Sequence, residues 1–406
     1  MTADLPTDLP TDLPIEHVPT RFGSSPAWAA RTARPLRLVA GPDPEPTPVE
    51  LRRLRAGLLR RDEPAASLVR AVREEHSVTM PQVRDALENG VPADAPPALR
   101  AFFDHVEARP DWVDDTLLWR GARAMQKLGW DSFDLLNWGS LLGGYRSAAA
   151  LEPLVRSGRL LGSSTHRRTS ETSTWYLAVT EDDGLARHGD GWKLTVHVRV
   201  MHAFVNYQLE RDPSWDWALR GVPINQYDQA STLAVFSTTP LLQARLLGHR
   251  VSRRDARGVM HLWSYIGWLM GVDDHWLPHT ERIGRRAIYH LLSHDPGPDD
   301  NSVRLARALV DAQDDVPGGR WRSWFAREAG LSVATLLNSR EGMRDLGLRP
   351  RLPWYPALRI PLNVLTTHVL GRLPGGDDRL VARGRRGRER RTRFQYGELA
   401  GVPVPD

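Results

Sequence analysis

The chain has 406 residues, of which 41% are apolar and 25% charged, and it contains 15 tryptophans but no cysteine. This length allows one large or two small hydrophobic cores. The lack of cysteine excludes disulfides, iron–sulfur clusters, thiolate metal ligands and cysteine nucleophiles, so any metal must be held by His, Asp, Glu or Tyr.

The first 20 residues form a short acidic stretch with a threefold repeat that ends each time in Asp-Leu-Pro. It has no basic start and no apolar core of the kind that defines an export signal. We therefore predict a flexible N-terminal tail over residues 1–20 and a cytoplasmic protein.

Helical periodicity begins near Pro46 and persists through most of the chain. Apolar residues recur at helical spacing in VELRRLRAGLLRR, AASLVRAVREEH, MPQVRDALENG and PPALRAFFDHVEA. Asn89-Gly90 is a typical helix end, and Asp114 or Asp115 is a candidate cap for the next helix, which ends at Gly129. Residues 132–162 form a further helical zone in which Gly143-Gly144 either breaks the helix or permits close packing.

The second half of the chain has the same character. A pair of helices is predicted over residues 168–180 and 192–211, and VMHLWSYIGWLMGV is apolar on nearly all sides, as expected of a helix in the core. KLTVHVRV alternates like a strand, but MHAFVNYQLER restores the helical period, so we predict helix throughout. The sequence thus predicts an all-α protein with a single helical domain over residues 21–370.

Arginines are concentrated near the C-terminus, in RLVARGRRGRERRTR (residues 379–393). Without these arginines the chain would be slightly acidic although its formal net charge is +5. We interpret residues 371–406 as a basic, solvated tail. A patch for nucleic acid or anionic lipid is the alternative, although only Phe394 and Tyr396 lie nearby for base stacking.

Common catalytic motifs, including HExxH, GxSxG and the Walker loop, are absent from the sequence. His290 and His294 stand four residues apart, but no third ligand has a matching spacing. We interpret them as histidines at a helix C-terminus, where the helix dipole favours them, rather than as a metal site.

His202 lies on an apolar face of its predicted helix, with Arg199 one turn before it. Arg168 and Thr172 lie one turn apart on the preceding helix, beside Glu171. Such a histidine is either a core residue bonded to a backbone carbonyl or an axial ligand of non-covalent haem, which needs one imidazole nitrogen and cationic partners for its propionates.

At these residues the sequence resembles the latex clearing protein and MpaB-type oxygenase family. The matching elements are RRTSETSTWYLAVT, VRVMHAFV, PINQYDQASTLAVFS and VMHLWSYIGWLMGVDD, and the resemblance covers about residues 115–350. It implies a globin-like helical core with additional helices enclosing haem b, with His202 as the iron ligand and with Arg168 and Thr172 beside the haem. Together with the residue pattern, this predicts a cofactor site of Arg168, Thr172, Arg199 and His202.

The resemblance also implies oxygenative cleavage of a C=C bond, with O₂ and an apolar unsaturated molecule as substrates. Rubber-cleaving members have a glutamate at the position of Glu152, which implies a base there. They can have a lysine where this chain has Glu171, so Glu171 is a second candidate base. This departure and the predicted cytoplasmic location favour a smaller isoprenoid or another unsaturated lipid over rubber.

Two further sets of residues leave alternatives open. His261 is the rival iron ligand, and otherwise a core histidine. Asn225, Gln226 and Asp228 either line the mouth of a site or cap the next helix, and capping is preferred. Two other functions stay open as well: a haem carrier or sensor without turnover, and a helical protein that binds nucleic acid or membranes through its basic tail.

Overall fold

The computed structural model describes residues 18–156 and 164–397, which form helices and no strand. The prediction of an all-α fold is confirmed. The first helices are α1 (Pro26–Ala40), α2 (Pro48–Gly57), α3 (Glu63–Arg73), α4 (Met80–Asn89), α5 (Pro97–Glu107), α6 (Asp115–Gln126), α7 (Asp131–Phe133), α8 (Leu142–Gly144) and α9 (Ala148–Arg156). They are followed by α10 (Ser164–Val179), α11 (Asp190–Glu210), α12 (Trp217–Arg220), α13 (Gln226–Phe236), α14 (Thr238–Leu246) and α15 (Arg253–Leu269). The last are α16 (Glu281–Ser293), α17 (Asp300–Asp311), α18 (Arg320–Asp345), α19 (Trp354–Val364) and α20 (Gly376–Tyr396).

Shorter helical segments of other types connect these helices. Asp134–Leu141 and Leu365–Val369 are π-helical, and Asp274–Trp276, Ala312–Asp315 and Leu370–Arg372 are 3₁₀-helical. None of the helices in the described residues is long and apolar enough to cross a membrane.

Helix ends follow the capping chemistry of the sequence. Asp114 accepts hydrogen bonds from the backbone N–H groups of Thr116 and Leu117, which confirms it as a cap. Asn225 accepts from the N–H of Asp228, so the capping interpretation holds there too. α4 ends at Gly90 with φ at +88°, a conformation that costs glycine little.

The main core lies between α3, α5, α6, α10, α11 and α15, and α15 runs through it with nearly every residue from Ala256 to Gly267 buried. α6 and α15 approach closely because glycines face each other at their crossing. A Cβ on Gly121 would overlap the backbone oxygen of Gly258. Because the atoms that this Cβ would meet belong to the backbone of α15, the overlap could be relieved only if one helix moved as a whole.

We therefore expect Gly121→Ala to destabilise the protein by about 2–3 kcal/mol through overpacking. Urea denaturation followed by far-UV circular dichroism measures the effect. Gly144→Ala is the matched control, because the added Cβ would meet Val235 at an ordinary 3.8 Å. Equal losses of stability in both variants would contradict the close approach of α6 and α15.

The arginine-rich segment is not a solvated tail, and that prediction is wrong. Residues Gly376–Tyr396 form α20, whose inner face is buried against the body of the protein. Gly384 lies against the backbone of Gln126, and Arg391 donates to the carboxylate of Asp134 at 3.0 Å. Because this inner face contains glycine and arginine instead of leucine, helical amphipathicity was not visible in the sequence.

Candidate functional site

A cavity of about 1470 Å³ lies next to the core, larger than the usual pocket range of about 300–1,000 Å³. Its walls come from the π-helical segment Asp134–Leu141 and from helices α1, α8, α9, α10, α11, α13, α14, α15, α16 and α18. The lining is predominantly apolar. A cavity of this size and chemistry has room for a large apolar molecule or for a planar cofactor together with a substrate.

The first wall is formed by adjoining faces of α10 and α11. Arg168, Thr172 and Trp175 follow one another at helical spacing on α10, and Met201, His202 and Val205 do so on α11. The structure therefore brings His202, Arg168 and Thr172 to one cavity, as the sequence predicted them to be neighbours.

The second wall is aromatic. The ring centroids of Trp175 and Phe236 are 5.5 Å apart, as are those of Phe236 and Trp263. Trp175 also donates its Nε1–H to the hydroxyl of Thr195 at 3.0 Å, which fixes the orientation of the indole. Rigid rings of this kind keep an apolar space open and exclude water from it.

His202 is an unsatisfied imidazole at this cavity. Part of its ring surface is reached from the cavity, whereas its Nδ1 is buried without a hydrogen-bond partner in the described part of the chain. Burial lowers the pKa of His202 to about 4; the carboxylate of Asp62 partly opposes this shift and the charge of Arg168 adds to it. The ring is therefore neutral at neutral pH, the state in which histidine ligates metals.

The rival histidines have other partners. The Nε2 of His261 accepts the backbone N–H of Asp114 at 2.9 Å, and His261 does not line the cavity. His290 contacts the carbonyl of Pro44 at 2.8 Å from the last turn of α16, and His294 follows that helix. In residues 18–156 and 164–397, no cluster of three or more His, Asp or Glu side chains could hold a metal ion.

Arg199 does not belong to the cavity, which corrects its assignment to the cofactor site. Its Nε and Nη2 donate to the two carboxylate oxygens of Asp62, at 2.6 and 2.8 Å, and its guanidinium lies over the ring of Phe102. Arg199 is only 1% exposed. Although Arg199 lies one turn before His202, its side chain points to the other side of α11, where it binds Asp62 at the N-terminus of α3.

The two candidate bases are placed differently. Glu171 lines the cavity and accepts a hydrogen bond from Arg167 at 3.1 Å. Glu152 is buried outside the cavity lining, where Arg156 donates to it at 2.8 Å and Arg220 approaches to 3.5 Å. This geometry favours Glu171 over Glu152 as the group that meets a molecule in the cavity.

Sequence reasoning missed several lining residues. His197 lies one and a half turns before His202 and also faces the cavity. Gln229, Thr239 and Gln243 line it too, each with a buried side-chain oxygen that has no hydrogen-bond partner in the described residues. Gln229 stands within the segment QYDQAST that carried the resemblance, so its position was available as a signal.

Comparison with known proteins agrees with this architecture. The model of the family described as "ER-bound oxygenase mpaB/B'/Rubber oxygenase, catalytic domain" matches residues 127–370, more than half of the chain. The chain belongs to this oxygenase family. The match begins and ends later than the interval of 115–350 expected from the sequence.

Two relatives support the same assignment. The rubber oxygenase of Streptomyces sp. (strain K30) is 27% identical over 300 residues, which cover 71% of this chain and 69% of that protein. The structure of latex clearing protein in its closed state superposes with a TM-score of 0.65 at 21% identity, covering 82% of this chain and 91% of the other. The second likeness shows that the two proteins share a fold.

Proposed function

We propose that this protein is a haem b oxygenase that uses O₂ to cleave a C=C bond in an isoprenoid or another unsaturated apolar molecule. The observation that carries the proposal is the neutral His202, with its unsatisfied Nδ1, at a large apolar cavity in a chain of this family. The rubber oxygenase relative is named for an unsaturated hydrocarbon polymer, which supports the substrate class.

The residues at the cavity fit haem. His202 would ligate its iron, and Arg168 on the neighbouring helix would pair with a propionate. When bound, haem would supply the iron at which O₂ is activated. Thr172, one turn from Arg168, offers a hydroxyl at the same wall.

The protein's own contribution is to bind the alkene, exclude water and provide a proton acceptor. Trp175, Phe236 and Trp263 surround the apolar space. The carboxylate of Glu171 is the acidic group of α10 at this wall, and Arg167 holds it in position. A carboxylate so placed can take a proton from a carbon next to the double bond.

The test uses protein produced with adequate haem supply. We expect a Soret band that shifts on reduction with dithionite, and O₂ uptake when squalene or cis-polyisoprene is added. The balanced reaction converts one C=C bond and one O₂ into two carbonyl groups, so labelled O₂ should place one labelled oxygen in each product end. A colourless protein would reject the proposal, and a Soret band without O₂ uptake would indicate a carrier or sensor.

Glu171→Gln should lower kcat by about 100-fold or more if the carboxylate is the general base, while the Soret band persists. Glu341→Gln is the matched control, because Glu341 also lines the cavity but is exposed and faces Arg31. Glu152→Gln, measured in parallel, decides between the two carboxylates. Loss of turnover in Glu152→Gln alone would assign the base to Glu152.

A further inference from the structure

α19 and the segments that follow it expose a continuous apolar stripe. Its members recur every three or four residues, and each is between 39% and 68% exposed: Leu358, Leu362, Leu365, Val369 and Leu373. The opposite side of these segments is buried: Asn363 donates to the carboxylate of Asp131 at 2.6 Å, and the hydroxyl of Thr367 accepts the backbone N–H of Arg250 at 2.9 Å. A row of large apolar side chains is unusual on the surface of a soluble protein and indicates a binding surface for an apolar partner.

α20 exposes a stripe of arginines with the same spacing. Its members are Arg379, Arg383, Arg386, Arg390 and Arg393, all of them exposed. Glu389 is the only acidic residue among them and lies 3.8 Å from Arg393. The other four have no carboxylate partner in the part of the chain that the structure describes, so their charge is available to a ligand outside the protein.

The two stripes lie on helices that are anchored to the same short segment. Asp131 accepts hydrogen bonds from Arg359 of α19 at 2.6 and 2.9 Å, and Asp134, one turn further on, accepts from Arg391 of α20 at 3.0 Å. Both helices are therefore anchored through their inner faces to the same short segment. Their outer faces, which we call the basic–apolar surface, point away from that segment.

An exposed tryptophan pair lies beside this surface. Trp321 and Trp324 are 71% and 50% exposed, with ring centroids 4.8 Å apart. Arg322, between them in the chain, has its guanidinium 4.4 Å from the ring centroid of Phe394, near the C-terminal end of α20. Tryptophan is enriched where proteins meet the membrane–water interface.

We propose that the basic–apolar surface docks on a lipid bilayer that contains anionic headgroups. An apolar stripe beside a cationic stripe matches the hydrocarbon edge and the phosphate layer of such a bilayer. Nucleic acid would pair with the arginines but would leave the leucines in water. A second copy of the chain would bring two arginine stripes close to each other across a two-fold axis, with like charges facing.

α19 also lies close to α14, a helix that lines the cavity. A Cβ on Gly248 would lie 3.1 Å from Val364 of α19, so α19 packs against the turn that follows α14. Leu246, at the end of α14, lines the cavity and is 55% exposed, which places it at the opening. α19 is therefore near a part of the cavity lining that is open to solvent.

Vesicle co-sedimentation of the full chain tests the proposal independently of haem content and turnover. We expect binding to vesicles of phosphatidylcholine with phosphatidylglycerol as the minor lipid, and at least about ten-fold weaker binding to phosphatidylcholine alone. Changing Arg379, Arg383, Arg386 and Arg390 to Gln should lower the partition coefficient for anionic vesicles by about 100-fold. The matched control changes four exposed arginines on other helices to Gln: Arg34, Arg53, Arg304 and Arg307.

The apolar stripe is tested separately with Leu358→Glu combined with Leu365→Glu. Both side chains are more than half exposed, so folding should persist, and circular dichroism checks it. We expect this variant to lose vesicle binding as well. Equal binding by the control and stripe variants, absence of vesicle binding, tight binding to duplex DNA instead, or a dimer that the leucine variant dissolves would each overturn the proposal.

Discussion

Replacing His202 with Ala is expected to lower the haem content of the purified protein more than about ten-fold. Replacing a residue that only orients a metal ligand already lowers metal affinity by that factor, and His202 is proposed as the ligand itself. The Soret band should disappear with the haem. The reason is that His202 presents a neutral imidazole to the cavity, and the other histidine that the sequence offered, His261, is bonded to the backbone of Asp114. Haem content is measured by the pyridine haemochromogen spectrum, per mole of folded chain.

Two variants sharpen this test. His261→Ala is the matched control: it removes a mostly buried histidine from the core and should cost stability while the Soret band remains. His202→Gly should bind haem again when free imidazole is added, because the small molecule can occupy the space left by the side chain. Full haem content in His202→Ala, or loss of the Soret band in folded His261→Ala, would remove His202 from the proposal.

Much of this architecture was visible in the sequence because helix patterning and capping are local. Asp114, Asn225 and Gly90 end or begin helices as their chemistry predicts. His202 and Arg168 line one cavity, as the sequence predicted them to be neighbours, since consecutive helices commonly pack side by side.

The misplacement of Arg199 has a physical cause, which is that sequence spacing does not reveal the partner of a long polar side chain. Arg199 was assigned to the site because it lies one turn from His202, but its partner, Asp62, is 137 positions away in the sequence. Glu152, which the resemblance implies as a base, is paired with Arg156, four residues away, and with the more distant Arg220, and it stays a candidate.

α1 was missed for a different reason. It lines the cavity with Thr32, Leu36 and Val39, but its buried residues are the small Ala29, Ala33 and Ala40, and Pro35 interrupts the pattern. A helix that packs through alanines has little hydrophobic periodicity. The π-helical segment Asp134–Leu141 lies inside the zone of residues 132–162, where the sequence predicted helix without distinguishing its type.

The two arginines assigned to the cofactor site are expected to behave in opposite ways. Arg168→Gln should weaken haem binding by about 10- to 100-fold, as expected when one charge-assisted hydrogen bond is lost. Arg199→Gln should keep its haem but lose about 3–5 kcal/mol of unfolding free energy, because it leaves the largely buried carboxylate of Asp62 without its partner.

Haem titration of the apoprotein and urea denaturation separate the two effects. The double variant Arg199→Gln with Asp62→Asn is the internal control, since it removes the unpaired charge. It should recover part of the lost stability, and asparagine can still cap α3 where Asp62 now accepts from Ala65. If Arg199→Gln weakened haem binding as much as Arg168→Gln at full stability, Arg199 would belong to the haem site after all, and the Asp62 pair would have to open when the cofactor binds.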